Sequence, residues 1–356
     1  MTRKTRDTSV PEQKKKEWND WRWQLKNSVR HPRRLGESLR LFTGDMDDLG
    51  AVVETYHMSV TPYYLSLIEE GNRRDPIARQ CLPDRREIDA AAGGSEDPLD
   101  EERDTVVDGL IHRYSDRCLA MVTSRCATYC RHCNRKRRWK TGEDVSPASL
   151  DAMVAYVAGT PRVREVILSG GDPLMLSDDR LEGLLASLTA IPHVEVIRIG
   201  SRTPVVLPMR ITPELCRMLR QYRPLWFNTQ FNHPREVTGE SARACELLVE
   251  AGIPVSNQSV LLRGVNDRLE TMRDLLYELQ RIAVRPYYLI HCEPVRGAIH
   301  FQTDIATGRA IMEQLWGDVS GLCVPRYVID LPGGGGKRSL EPASFHAGGE
   351  ALDITE

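Results

Sequence analysis

The sequence predicts an α/β fold, a partial (β/α)6 barrel preceded by a helical N-terminal extension. Three observations lead there. From about residue 118 onward, apolar strand-like runs alternate with amphipathic helix-like runs, at a repeat of roughly 30 residues that marks a parallel sheet with crossover helices. Six such units suit an open or partial barrel better than a closed eight-fold one. Each strand-like run ends in a polar, mostly glycine-bearing stretch, where a parallel sheet builds its site.

Taken in order, residues 1–110 read as helical and charged. In EWNDWRWQLKNSV, Trp18, Trp21 and Leu25 share one helical face and Trp23 leaves it, so this helix should pack onto something larger. The stretch from Gly71 to Glu102 is polar and punctuated by Pro and Gly, a connector. The core follows over 111–340. Its strands are CLAMVTS, REVILSGG, HVEVIRIGS, LWFNTQF, PVSNQSVLL and VRPYYLIHC. Helices ASLDAMVAYVAG, DRLEGLLASLTAI, PELCRMLRQY, ESARACELLVEAG and RLETMRDLLYELQRI separate them. A last helix over about 303–316 and a strand in VPRYVIDLPGG complete the pattern. Residues 341–356 form a short tail. The strands lead into the cysteine cluster, SGGD, GSRTP, NTQFNHP, LRGVND and CEPVRG; that coincidence points to an enzyme.

The bulk numbers exclude other classes. A formal net charge of −2 argues against a general nucleic-acid binder. No run of about 18 apolar residues could span a membrane, and the charged N-terminus lacks the apolar stretch of a secretory signal. A cytoplasmic protein is expected. Nine cysteines in such a protein are not a disulfide framework. Six of them, Cys81, Cys118, Cys216, Cys245, Cys292 and Cys323, stand among apolar neighbours and read as small buried side chains.

Cys126, Cys130 and Cys133 fall within eight residues. A structural zinc wants four ligands, and only His132 stands near enough in sequence to complete such a set. A two-cysteine redox motif would leave Cys126 unexplained. Three thiolates can instead hold an iron–sulfur cube with one iron open to a small molecule. C-x3-C-x2-C in a loop after the first strand resembles the signature of radical S-adenosylmethionine (SAM) enzymes. Beside it, LSGGDPL follows the second strand. Gly170 and Gly171 would let the backbone approach a ligand closely, and Asp172 would meet a ligand ammonium.

VIDLPGGGGKRS is not a phosphate-binding P-loop, because Leu331 stands where the first Gly is needed and Arg338 follows Lys337. Four glycines before one lysine suggest a mobile arm that swings the Lys337 amine toward a carbonyl. Schiff-base chemistry with pyridoxal 5′-phosphate (PLP) needs such an amine. In HRYSDR, ahead of the first strand, Arg113 and Arg117 suit a phosphate.

Over Trp18 to Lys337 the chain resembles the lysine 2,3-aminomutase family. The likeness is carried by WNDWRWQLKN, TPYYLSLI, HRYSDR, CATYCRHCNRKRR, LSGGDPL, VEVIRIGSRTPVVLP, RITPEL, FNHPREVT, NQSVLLRGVND, RPYY and PGGGGK. The resemblance implies a fold of the radical SAM type. It implies that Cys126, Cys130 and Cys133 hold a [4Fe–4S] cluster, with Gly170, Gly171, Asp172, Ser201 and Gln258 around SAM. Lys337 would carry PLP, with Arg113 and Arg117 near its phosphate. Arg135 would bind the substrate carboxylate, and Glu293 with Asp330 the far end of a cationic substrate. The implied reaction moves an amino group from C2 to C3 of an L-α-amino acid, lysine first and arginine second. It needs a reducing electron donor such as flavodoxin or ferredoxin.

The chain departs from the family pattern in places. Glu293 stands where Asp is expected, Gln230 where His is expected, and Ile290 and His291 where Tyr and Gln are expected. These changes should cluster at the end of the pocket that reads the side chain. The segment past Lys337 lacks further cysteines, which leaves zinc and a tetramer open and makes a homodimer the assembly to test. Competing readings are a lysine-modifying enzyme of a translation factor and a non-enzymatic iron–sulfur or zinc carrier. The carrier would have no use for an open iron or for Lys337.

Overall fold

The computed structural model describes residues 16–35, 46–72, 74–89, 93–139, 143–341, 345–347 and 350–352. The extreme N-terminus and most of the expected tail over 341–356 lie outside the described residues.

Ten strands form one sheet in which spatial order equals chain order. Seven of them run parallel: β3 (Arg117–Met121), β4 (Glu165–Ser169), β5 (Val196–Gly200), β6 (Leu225–Thr229), β7 (Val255–Leu261), β8 (Arg285–His291) and β9 (Arg326–Leu331). Six crossovers therefore join seven parallel strands, as the alternating pattern predicts. The crossover helices are α1 (Pro147–Ala158), α2 (Asp178–Thr189), α3 (Pro213–Arg220), α4 (Gly239–Glu250), α5 (Leu269–Arg281) and α6 (Ile305–Asp318). Local chemistry fixes their starts. Ser146, Ser177, Thr212 and Thr238 each accept a backbone N–H of the first turn, and Pro147 and Pro213 occupy the first helical position. Each helix lays an apolar stripe on the sheet, such as Leu181, Leu184, Leu185 and Leu188 of α2, all buried.

Antiparallel strands flank the parallel set, and the sequence pattern missed those at the front. β1 (Thr105–Val107) and β2 (Leu110–Tyr114) precede β3, so HRYSDR spans the β2–β3 turn rather than lying ahead of the sheet. At the other end β10 (Gly336–Ser339) folds back on β9. Among the described residues β1 and β10 do not pair. The two ends approach through the Tyr114 hydroxyl, which accepts the Lys337 backbone N–H at 3.0 Å. A backbone bond from the Gly333 N–H to the Pro98 carbonyl at 3.1 Å joins them as well, so the barrel is partial and its seam is closed without strand pairing.

The N-terminal region packs short helices, among them Trp21–Lys26, Met46–Thr55, Pro62–Leu65 and Pro76–Cys81, against this core. Trp18, Trp21 and Leu25 lie against the apolar core as their spacing predicts, and the Arg210 guanidinium sits 4.8 Å over the Trp21 ring. The six scattered cysteines are buried free thiols. Among the described residues no helix is long and apolar enough to cross a membrane.

Candidate active site

A cavity of about 970 Å3 opens at the C-terminal ends of the parallel strands. Cys126, Cys130 and Cys133 line it together with Gly170, Gly171, Asp172, Ser201, Gln258, Arg135 and Glu293. The cysteine loop leaves β3, SGGD leaves β4 and GSRTP leaves β5, so consecutive strand ends bring distant residues onto one wall.

The glycines line the cavity as expected and serve a second purpose. A Cβ on Gly170 would lie 2.3 Å from the Thr123 carbonyl oxygen, and one on Gly171 2.3 Å from that of Arg125. The Gly171 and Asp172 N–H groups donate to those carbonyls at 2.6 and 2.8 Å. The glycines therefore seat the cysteine loop's own backbone. Asp172 differs from its expected role. Its carboxylate accepts from Ser201 Oγ at 2.8 and 2.9 Å, Thr203 Oγ1 at 3.0 Å, and the N–H groups of Leu174 and Arg202 at 3.0 and 2.9 Å. These contacts occupy the lone pairs that a ligand ammonium would need, so Asp172 positions the β4 and β5 loops rather than meeting the ligand. Ser201 is buried in the same network. Gln258 is free: its amide has no hydrogen-bond partner among the described residues and lines the cavity.

The thiols are held from outside. Arg202 Nη1 donates to Cys130 Sγ at 2.8 Å, and the Arg135 backbone N–H to Cys133 Sγ at 3.3 Å. Burial, the Asp172 carboxylate and the neighbouring thiols push Cys126 well up, and burial and Cys130 push Cys133 up to about 11. A positive group among them would reverse that shift and release protons. Among the described residues no three Cys, His, Asp or Glu side chains converge on a single metal ion. A multi-iron cube places each thiolate on its own iron and suits a wider spacing. His132, the zinc alternative's fourth ligand, instead turns Nε2 to the amides of Gln230 at 3.0 Å and Asn232 at 3.4 Å.

Arg135 is gripped by Glu101, a partner that sequence reading missed. Nε and Nη2 form a fork with its carboxylate at 2.7 to 3.1 Å, and Nη1 reaches Ser169 Oγ at 3.4 Å. Burial would raise the Glu101 carboxyl, but Arg135 and Arg137 pull it down to about 2. The fork thus holds Arg135 at the cavity wall, with Nη1 toward the space.

Lys337, Asp330, Arg113 and Arg117 are not on the cavity wall. Lys337 faces Asp330 across the β9–β10 ladder and its amine pairs with that carboxylate. The glycines before it are a built turn, not a mobile arm: Gly333, Gly334 and Gly336 take φ of 68°, 78° and 75°, where side chains are disfavoured. The pair lies within electrostatic reach of Glu293. Burial and Asp330 raise Glu293 to about 7, against the opposing pull of Lys337 and Arg135. Arg117 stacks 3.9 Å over the Tyr114 ring and pairs with Asp116 at 2.7 Å. Arg113 is paired with Asp104 at 2.6 Å and donates to the Leu99 carbonyl. Of the departures from the family pattern, Gln230 and Ile290 line the cavity, whereas His291 is buried against the Tyr327 hydroxyl at 2.8 Å. They therefore do not form one patch.

A three-thiol loop at the mouth of a parallel partial barrel defines a class, and comparison with known proteins gives the same one. Residues 121–276 match the model of the radical SAM superfamily. Residues 312–350 match the model described as lysine-2,3-aminomutase. L-lysine 2,3-aminomutase of Clostridium subterminale is 49% identical over 92% of this chain and 79% of its own. That of Acetoanaerobium sticklandii is 50% identical over the same shares. Glutamate 2,3-aminomutase of Clostridioides difficile is 39% identical over 96% of this chain and 81% of its own. The chain belongs to the lysine 2,3-aminomutase family. It is an aminomutase-type isomerase, and its superfamily works with a [4Fe–4S] cluster and SAM, which the three thiols and the open cavity fit.

Proposed function

We propose that the enzyme is a PLP-dependent 2,3-aminomutase acting on a free cationic amino acid, converting L-lysine to β-lysine. The observation that carries this reading is the acidic pair. Glu293 stands on the cavity wall and Asp330 close behind it, its one ion pair among the described residues being with Lys337. A Lys337 amine engaged elsewhere leaves two neighbouring carboxylates without a cation, a fitting end for a substrate ammonium. A glutamate side chain would meet repulsion there.

When bound, the cluster and SAM supply a carbon radical able to take an unactivated hydrogen, and PLP supplies a π system for the migrating nitrogen. The chain's own residues do the rest. Lys337 offers an amine on a fixed hairpin, 5.8 Å from the Tyr288 ring centroid. Arg117, joined to it through Tyr114, and Arg113 on the adjacent strand offer cations for a phosphate. Arg135 Nη1 takes the substrate carboxylate, held in place by Glu101. Gln258 offers a free amide to SAM. Val206, Val260 and Ile290 give the cavity an apolar wall that excludes water.

The test is an anaerobic competition. Reconstituted enzyme with SAM, PLP and a strong reductant receives lysine, arginine and glutamate together, and mass spectrometry separates α- from β-amino isomers. β-Lysine should accumulate fastest. Faster β-arginine would assign the acidic pair to a guanidinium, and faster β-glutamate would overturn the role of the pair.

A further inference from the structure

The buried guanidinium of Arg202 has no part in the reading above. It is 8% exposed and makes five hydrogen bonds. Nε donates to the Gln230 carbonyl at 3.0 Å. Nη2 donates to Gln80 Oε1 at 2.7 Å, Tyr64 Oη at 3.0 Å and Glu236 Oε1 at 2.6 Å. Nη1 donates to the Cys130 sulfur at 2.8 Å. Among the described residues it is the one charged group that donates to any of the three clustered thiols. Glu236 balances its charge on the far side, but the donor edge touches the sulfur directly.

Two of its anchors come from outside the barrel. Tyr64 belongs to the helix Pro62–Leu65 and Gln80 to Pro76–Cys81, both in the N-terminal region. Gln80 also accepts from Asn232 Nδ2 at 3.0 Å, and the Asn232 N–H donates to Glu236. The helical extension therefore holds a β5-loop arginine against a cluster ligand. Reduction adds one electron to a cluster, and part of that charge falls on its sulfurs. Hydrogen bonds to the sulfurs are one of the terms that set cluster potentials, and a cationic donor in a buried site favours the reduced form most.

We infer that Arg202 raises the reduction potential of the cluster through its bond to Cys130, as a positioning residue oriented by the N-terminal helices. The step it tunes is a simple one-electron transfer: the donor loses one electron, the cluster gains one, and no bond at Cys130 forms or breaks. The inference rests on the cluster assignment.

Potentiometry tests it on the reconstituted holoenzyme, with the reduced cluster read by electron paramagnetic resonance. In Arg202→Gln the ratio of reduced to oxidised cluster at a fixed potential should fall at least tenfold, about 59 mV for one electron. Arg202→Lys, which keeps the charge but not the fork, should fall less. Ratios within twofold of wild type in both variants would overturn the inference. Loss of Arg202 leaves Glu236 buried and unpaired, so the wild-type enzyme supplies an independent arm. Labelling with guanidino-15N arginine should give a 15N coupling to the reduced cluster; no coupling would overturn the inference even where the variants fail to fold. A wild-type enzyme with no reduced-cluster signal would overturn the cluster assignment itself, and this inference with it.

Discussion

The cysteine end and the hairpin end of the site are held by different kinds of contact. At the cysteine end backbone grips backbone: the Gly171 and Asp172 N–H groups bond to the carbonyls of Thr123 and Arg125, with no room for a methyl group. Behind it, Arg202, Glu236 and Tyr64 form a buried, fully paired network. At the hairpin end the groups that face the substrate pocket are set by side chains. Lys337 leans on Asp330, and Glu293 is poised by burial and the charges around it. The first kind of contact tolerates almost no substitution, while the second is rewritten by exchanging one carboxylate. On the proposed roles, radical generation and substrate reading are thereby separable. That separation suits a family in which one relative is named for lysine and another for glutamate.

The sharpest way to break this comparison is to remove one essential group from each end. Cys126→Ala should lower product to background and reduce iron and acid-labile sulfide; an unchanged cluster spectrum would remove Cys126 from the ligand set. Lys337→Ala should also abolish product, yet leave SAM binding unchanged by equilibrium dialysis. Normal turnover in that variant would sink the proposed cofactor lysine. A smaller effect tests the backbone clamp. Gly171→Ala should destabilise the fold by about 3 kcal/mol, the upper range for forcing atoms into a packed site, and lower the melting midpoint by a few degrees. A midpoint equal to wild type would show the clamp to be slack.

The mildest change sharpens the hairpin end. Glu293→Gln should raise KM for lysine about tenfold, the equivalent of about 1.4 kcal/mol, with little change in kcat. The sign of the pH effect follows from the raised carboxyl. Burial and Asp330 bring Glu293 to about 7, so below that pH it is protonated and loses its pull on a cation. KM for lysine should rise as pH falls through 7 in wild type and stay flat there in Glu293→Gln. A flat wild-type profile would remove Glu293 from recognition.

The barrel was readable because strand and helix periodicities are local, and because a parallel sheet puts its chemistry at strand ends. Cys126, Gly170 and Ser201 could thus be assigned to one wall before any contact was known. The β1–β2 hairpin escaped, since Thr105–Val107 is too short to show alternation. The misreadings share a cause: a sequence displays a functional group but not its partners. Asp172 looked like a ligand acceptor until Ser201, Thr203 and two backbone N–H groups were seen around it. The grip on Arg135 was not legible because Glu101 lies 34 residues upstream. Arg202 stood in plain view in GSRTP, at a strand end where a functional group belongs, but nothing local tied it to Cys130.

Because spatial strand order equals chain order, the sheet can grow on the ribosome one edge at a time. Each new strand meets a neighbour already synthesised, and no segment must thread between earlier ones. β10 is the last to dock, and its Lys337 N–H reaches back to Tyr114 near the start of the sheet. The residue proposed to carry PLP is thus set in place only after every strand that lines the cavity. A ribosome-stalled chain that stops before β9 would own its three thiols and no cofactor amine.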